Sequence, residues 1–300
     1  MTLAIAVTGA TGLIGHAVAK GLEAAGHRIV TVGRGAGCDV RFDLAGPALL
    51  TADAFAGCGA LVHAAGVTDE DFADPKRARM KAGPGAGALL AAARAAGIRS
   101  LVYVSSAHVY GPLEGRIDES RPADPRSDYA RAHLETEALF RDAGEASGHR
   151  ALIARPCAAY GMPPSLARFA RWSLIPFDFP REALAGRIVL KSHGDQRRNF
   201  VPVEGIASLV GWWLGGPGDG VTIANAPGKD EMSVYDFARL CATITGARTG
   251  RACEVVRPPP PDRRPEPFEY RTRVGGHLPG PSLGEHVERL VRALMQESAS

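Results

Sequence analysis

The chain has 300 residues, 45% of them hydrophobic and 22% charged, and sets 35 basic against 32 acidic side chains for a formal charge of +3. So even a balance excludes a nucleic-acid or membrane-surface partner recognised through bulk charge. Five cysteines, Cys38, Cys58, Cys157, Cys241 and Cys253, form no CxxC pair, which reads as reduced thiols in a cytoplasmic protein with no metal site.

In chain order, the apolar start is broken by glycines and lacks a basic leader, so it reads as the first element of a fold and not as a signal peptide. No run reaches the ~18 apolar residues of a membrane span. Leu3 to Thr8 predicts a buried strand, Leu13 to Ala25 a helix, His27 to Val32 a second strand and Ala60 to Ala65 a third. Gly85 to Ala96 predicts a helix closed by Gly97, and Leu101 to Ser105 the next strand. Tyr129 to Ala146 is a long helix, Ala151 to Ala154 a strand, and Leu283 to Gln296 a final helix before a frayed tail. Continuous apolar strands alternating with helices predict an α/β fold with a Rossmann-like, doubly wound parallel sheet. That domain takes residues 1–155, with strand returns from about 190–225; residues 156–300 are mainly a smaller C-terminal lobe that binds substrate. Trp212 and Trp213 are expected to pack, and the proline run Pro258 to Pro267 to form a loop over the cleft.

Between the first strand and first helix stands Thr8-Gly9-Ala10-Thr11-Gly12-Leu13-Ile14-Gly15. Gly9 suits a tight turn, Gly12 a close approach of backbone amides to a pyrophosphate, and Gly15 contact between helix and sheet. The unpaired N–H groups of Thr11, Gly12, Leu13 and Ile14 then face the phosphates at the helix N-terminus. About 20 residues on, where an acid would hold ribose hydroxyls, the chain has Gly33-Arg34. A guanidinium there suits a 2′-phosphate and favours NADP over NAD. Asp43 and Leu44 are placed to touch the adenine. H-E-x-x-H and Gly-x-Ser-x-Gly are absent, which leaves no signature of a zinc protease or an α/β-hydrolase.

These residues, with His63-Ala64-Ala65-Gly66, Val104-Ser105-Ser106-Ala107-His108-Val109-Tyr110-Gly111, Tyr129 opening a helix, Arg155-Pro156-Cys157-Ala158-Ala159-Tyr160-Gly161 and Gln196 to Glu204, resemble the extended short-chain dehydrogenase/reductases. The resemblance implies an NAD(P)-dependent oxidoreductase, epimerase or dehydratase acting on a sugar, nucleotide sugar or related carbonyl compound. It implies Tyr129 as acid/base, Ser106 polarising the same oxygen, Ala64, Ala65 and Gly66 along the cofactor, and Ala107, His108, Arg197 and Arg198 toward substrate. It also implies a homodimer built from the helices Gly85 to Ala96 and Tyr129 to Ala146.

Two positions depart from that pattern. The lysine expected four residues after Tyr129 is His133, and the asparagine expected to support it falls at Ala82. A phenol titrates near pH 10 and needs a neighbouring positive charge to work near neutrality. Three replacements are open: a protonated His133, Lys81 reaching in, or His108 as the acid/base. Ala158, where nucleotide-sugar enzymes of this group carry asparagine, leaves a smaller substrate open, and Arg197 and Arg198 either hold an anion or pair with Asp195 or Glu204. The alternative to an enzyme is an NAD(P)-binding sensor or assembly protein without catalysis.

Overall fold

A computed structural model describes residues 2–46, 49–262, 266–275 and 279–297. The elements are β1 (Ala4–Thr8), α1 (Leu13–Ala24), β2 (Arg28–Gly33), β3 (Val40–Arg41), β4 (Cys58–His63), α2 (Pro75–Met80), α3 (Ala86–Ala95), β5 (Ser100–Val104), β6 (Gly115–Ile117), α4 (Asp128–Glu145), β7 (Arg150–Pro156) and β8 (Ala158–Tyr160). There follow α5 (Ile175–Leu184), β9 (Arg187–Val189), β10 (Arg197–Pro202), α6 (Val203–Gly215), β11 (Gly220–Ala226), β12 (Asp230–Ser233), α7 (Val234–Thr249), β13 (Glu254–Val256), β14 (Phe268–Tyr270) and α8 (Leu283–Glu297).

Seven strands form one parallel sheet in the order β11-β7-β5-β4-β1-β2-β3. The alternation of side chains sends Ile5 and Val7 of β1 to one face and Ala6 to the other. The first face is covered by α1 and α6 through Val18, Leu22, Ile206 and Val210, and the second by α3 and α4 through Leu89, Ala93 and Phe140. With both faces buried, the strands are apolar throughout, which is why they were legible in the sequence. Strand order reverses between β1 and β4, so their carboxyl ends open the crevice in which ligands of such sheets bind.

The chain's second half, joined by β6 from the first, builds a smaller lobe from the sheets β12-β10-β8, β13-β9 and β14-β6, with α5, α7 and α8 packed around Phe179, Phe200, Phe237 and Val287. From this half α6 and β11 go back to the large sheet, β11 pairing with β7 along its length.

Several elements differ from expectation. The helix expected from Gly85 begins earlier, as α2 and then a π-helical turn, Lys81–Gly85, that holds Pro84; proline has no N–H to continue an α-helical ladder. Only Trp213 of the tryptophan pair packs: it is buried, its Nε1 donating to Thr222 Oγ1 at 3.3 Å, while Trp212 is 57% exposed. Adjacent helical positions point about 100° apart, so one buried stripe cannot take both. The proline run is exposed in its described part, and 263–265 within it, like the tail at 298–300, lies outside the described residues.

Candidate active site

Gly9 leaves β1 with a φ of +71°, a left-handed conformation that glycine adopts freely. The Gly12 N–H closes the turn on the Gly9 carbonyl at 2.8 Å. A Cβ on Gly15 would collide with that same carbonyl, so the first turn of α1 can lie against β1 only with glycine there. The N-cap of α1 is Gly12 and no side chain caps it, so the amides of the first turn stay open for an anion. Thr11 and Gly12 are exposed, Leu13 and Ile14 half-buried. These features fit a dinucleotide's pyrophosphate.

Thr8 ties this turn to the end of β4. Its Oγ1 accepts from Ala64 N and Ala65 N, each at 3.2 Å, and meets His63 Nδ1 at 2.8 Å. One hydroxyl therefore sets the two loops at the mouth of the crevice. Half-buried Ala64, Ala65 and Gly66 then run past the inner site, where a Cβ on Gly66 would lie 3.4 Å from His133 Cε1 and from the Tyr103 hydroxyl. Arg34 is exposed at the end of β2 and among the described residues forms no ion pair. Leu44 is buried in the core beside Val32 and Phe42, and Asp43 accepts from Arg77 Nη2 at 3.4 Å.

Inside the crevice a column of rings runs from Phe140 through His63, Tyr103, His133 and Tyr129 to His108, with successive centroids 4.5–5.9 Å apart. Tyr129 and His133 share a face of α4 because they are four residues apart. Ser106, at the open end of β5, lies beside the Tyr129 phenol and favours its ionisation, and it accepts from His108 N at 3.2 Å. The structure thus brings together Ser106, Tyr129, His133 and His108. Ala107 differs: its side chain is fully buried with Val109 and Tyr110, so only its backbone can face a ligand, because the short 3-10 turn rotates each residue to a different side.

The protonated His133 expected as one replacement for lysine does not occur. Burial, reinforced by His108 and His63, lowers its pKa to about 3. Tyr103 stays protonated because burial raises its pKa, and its hydroxyl hydrogen-bonds His133 Nδ1 at 2.7 Å. The Nε2 of His133 is buried without a hydrogen-bond partner. Nor does Lys81 reach Tyr129: its Nζ is held by Asp71 Oδ2 at 2.5 Å, an acid that Thr68 also binds. Burial raises the Tyr129 pKa, with Asp69 and Glu70 adding to the rise and Ser106 and Arg171 opposing it. His108, open to the cleft but ringed by protein, is pushed down by that enclosure and by Arg198.

Beneath Ser106 lies a buried ion pair. Glu137, fully buried on α4, accepts from Arg155 Nε at 2.9 Å, Arg155 Nη2 at 2.5 Å and Ser105 Oγ at 2.6 Å. It locks α4 to the ends of β5 and β7, which sets Tyr129 against Ser106. Arg197 and Arg198 do not pair with Asp195 or Glu204. Arg197 Nη2 donates to the Glu231 carbonyl at 2.7 Å and Arg198 Nη1 to the Arg197 carbonyl at 2.9 Å, so neither charge is neutralised by a carboxylate among the described residues.

A family model described as "NAD dependent epimerase/dehydratase family" matches residues 5–222. The chain belongs to that family. Among curated relatives it is 29% identical to dTDP-D-glucose 4,6-dehydratase of Mus musculus over 163 residues, 50% of this chain and 41% of that protein. It is 41% identical to UDP-glucose 4-epimerase of Azospirillum brasilense over 78 residues, 26% of this chain and 22% of that protein. The matched stretch thus spans less than half the length of either. Among solved structures, the family fold recurs in MoeE5 in complex with UDP-glucose and NAD at a TM-score of 0.78 and 21% identity, covering 99% of both chains. It recurs also in RMD from Pseudomonas aeruginosa complexed with NADPH, at 0.75 and 23%, covering 99% of this chain and 100% of that one. Outside the family's motifs, Arg171, Asp69 and Glu70 had no sequence signal, since they stand in loops brought to Tyr129 only by folding.

Proposed function

We propose that this chain is an NAD(P)-dependent enzyme acting on a sugar, nucleotide sugar or related carbonyl compound. The observation that carries the reading is Ser106 and Tyr129 brought together at the open end of β5, the Tyr129 ring centroid 4.5 Å from that of His133 and 5.9 Å from that of His108, beside an uncapped helix N-terminus. Thr11 to Gly15 would hold the pyrophosphate, and Ala64, Ala65 and Gly66 would line the nicotinamide half, with Asp43 toward the adenine. The bound nicotinamide supplies or accepts a hydride. Tyr129 holds the proton exchanged with the reacting oxygen, Ser106 polarises that oxygen, His108 faces the same cleft, and Arg197 and Arg198 bind the anionic end of the substrate. His133 offers a neutral ring where the family's resemblance implied an ammonium. Turnover monitored by nicotinamide absorbance over nucleotide sugars, sugar acids and ketones tests the reading. Tyr129→Phe should lower turnover by about 10²–10⁴-fold with cofactor affinity kept.

Arg34 supports NADP as the preferred cofactor. Arg34→Ala should weaken NADP by about tenfold or more and leave NAD unchanged, as loss of one charge-assisted contact predicts. Equal effects on both cofactors would remove that assignment.

A second reading, a cofactor-binding sensor without catalysis, is favoured by the neutral His133. Tight NAD(P) binding with no turnover over the whole substrate panel would select it. We also infer a homodimer through α3 and α4, on the small exposed side chains Ala88, Ala91 and Ala95 of α3. Light scattering at micromolar concentration should give twice the chain mass.

A further inference from the structure

Parallel pairing sets Thr8 level with Val32, so Gly33, one residue further along β2, stands beside the glycine turn that leaves β1. The chain then loops back through Arg34, Gly35, Ala36 and Gly37, all exposed, and enters β3 at Val40, which pairs with Val32. The return of the loop is anchored. Asp39 Oδ2 accepts from Thr31 N at 2.8 Å and from Thr31 Oγ1 at 2.7 Å, and the same hydroxyl accepts from Asp39 N at 3.0 Å. Cys38 N closes a turn on the Gly35 carbonyl at 3.1 Å. Within residues 34–39 only Cys38 is half-buried, the rest being exposed. A Cβ on Gly33 would lie 3.1 Å from its Sγ and, chain neighbours aside, within 4 Å of no other atom among the described residues. Glycine weakens a strand, and inside one it marks a place where something else comes close. Gly33 has no left-handed backbone to require it, so the thiol is what its missing side chain makes room for.

The end of the second strand is where a dinucleotide fold places an acid on the ribose hydroxyls of NAD. Accepting the pyrophosphate reading of the glycine turn, we infer that Cys38 is a specificity-determining residue for the cofactor. Its thiol occupies the room that an acidic side chain at position 33 would need, so Gly33 and Cys38 act as one unit that keeps a carboxylate off the adenosine ribose. Non-bonded heavy atoms pack best at about 3.5–4.0 Å, so a side chain at 33 would have to displace the thiol. Cys38 can retreat only by turning outward or by drawing Asp39 away from Thr31, and either gives up burial or hydrogen bonds that the loop now has. With a carboxylate kept out, the charge next to Gly33 in the chain is the exposed Arg34 guanidinium, which suits a 2′-phosphate better than a free hydroxyl. The loop thus selects against NAD by exclusion as well as for NADP by attraction.

Two double-mutant cycles test the unit. In the first, the full chain is titrated calorimetrically with NAD and with NADP, and the effect of Gly33→Asp is measured with Cys38 present and with Cys38→Ala. With the thiol present, Gly33→Asp should leave NAD affinity within about twofold. Combined with Cys38→Ala, the same change should raise NAD affinity by about tenfold or more, as one charge-assisted contact predicts, and weaken NADP by like-charge repulsion. Equal gains in both backgrounds, or no gain in either, overturn the inference. The second cycle uses no cofactor. Gly33→Ala should lower the urea midpoint when Cys38 is present and leave it in place when combined with Cys38→Ala; equal shifts in both overturn the inference as well. Thermal melting reports whether each variant is folded, and the small Gly33→Ala change keeps the test decisive if aspartate is not tolerated. If neither dinucleotide binds the unaltered chain, the functional reading falls and takes the specificity with it, whereas binding without coupling removes this inference alone.

Discussion

The two ends of the crevice are made by different means. At the pyrophosphate end the site is backbone: the amides after Gly9, a turn closed by Gly12 on Gly9, and a helix brought close by Gly15. At the Tyr129 end it is side chains from two elements, Ser106 after β5 and Tyr129 and His133 on α4. A backbone site tolerates almost any neighbouring sequence but not a Cβ in the wrong place. A side-chain site can lose a member, as the lysine position has, while the remaining groups keep their places.

The comparison can be broken first at the support of the side-chain end. Removing Glu137 leaves the Arg155 guanidinium buried and unpaired and frees Ser105, so Glu137→Ala should cost about 3–5 kcal/mol in urea unfolding. A loss under 1 kcal/mol would mean that α4 is not held by this pair. At the backbone end, Gly15→Ala should weaken cofactor binding by tenfold or more in calorimetry, about 1.4 kcal/mol, because the new methyl group collides with the Gly9 carbonyl. Unaltered affinity would show that α1 need not approach β1 so closely.

A third effect belongs to the buried histidines and grows as the pH falls. Burial is the leading cause that lowers the pKa of His63 to about 3, of His133 to about 3 and, in the second lobe, of His286 to about 4. Each is depressed below its unfolded value, so each contributes stability that is fully present above pH 6.5 and lost as pH falls toward its folded value. Well below pH 6.5, each histidine still neutral costs about 1.4 kcal/mol per pH unit. Denaturation at stepped pH should therefore show stability falling from pH 6.5 to pH 5; a flat profile there would mean that these rings already carry protons.

The glycine turn and the buried strands were legible in the sequence because each is specified locally: a run of apolar residues, a glycine where only glycine fits, a helix after it. Ser106 and Tyr129 were legible as positions, and their meeting was implied by the family resemblance and not by spacing, since it needs β5 and α4 side by side. Arg171 carried no signal, standing in an irregular stretch with no motif. Leu44 and Ala107 were named for their places beside motifs, and folding puts both side chains in the core.

The sequence alone determined the parallel sheet, the glycine turn after its first strand and the family, because these depend on periodicity and on backbone conformations that particular residues permit. The tertiary structure alone decided that His133 is neutral and that Lys81 belongs to Asp71. Those outcomes follow from burial and from distances between residues far apart in the chain, and a charge's effect is set by what surrounds it, not by its neighbours in sequence.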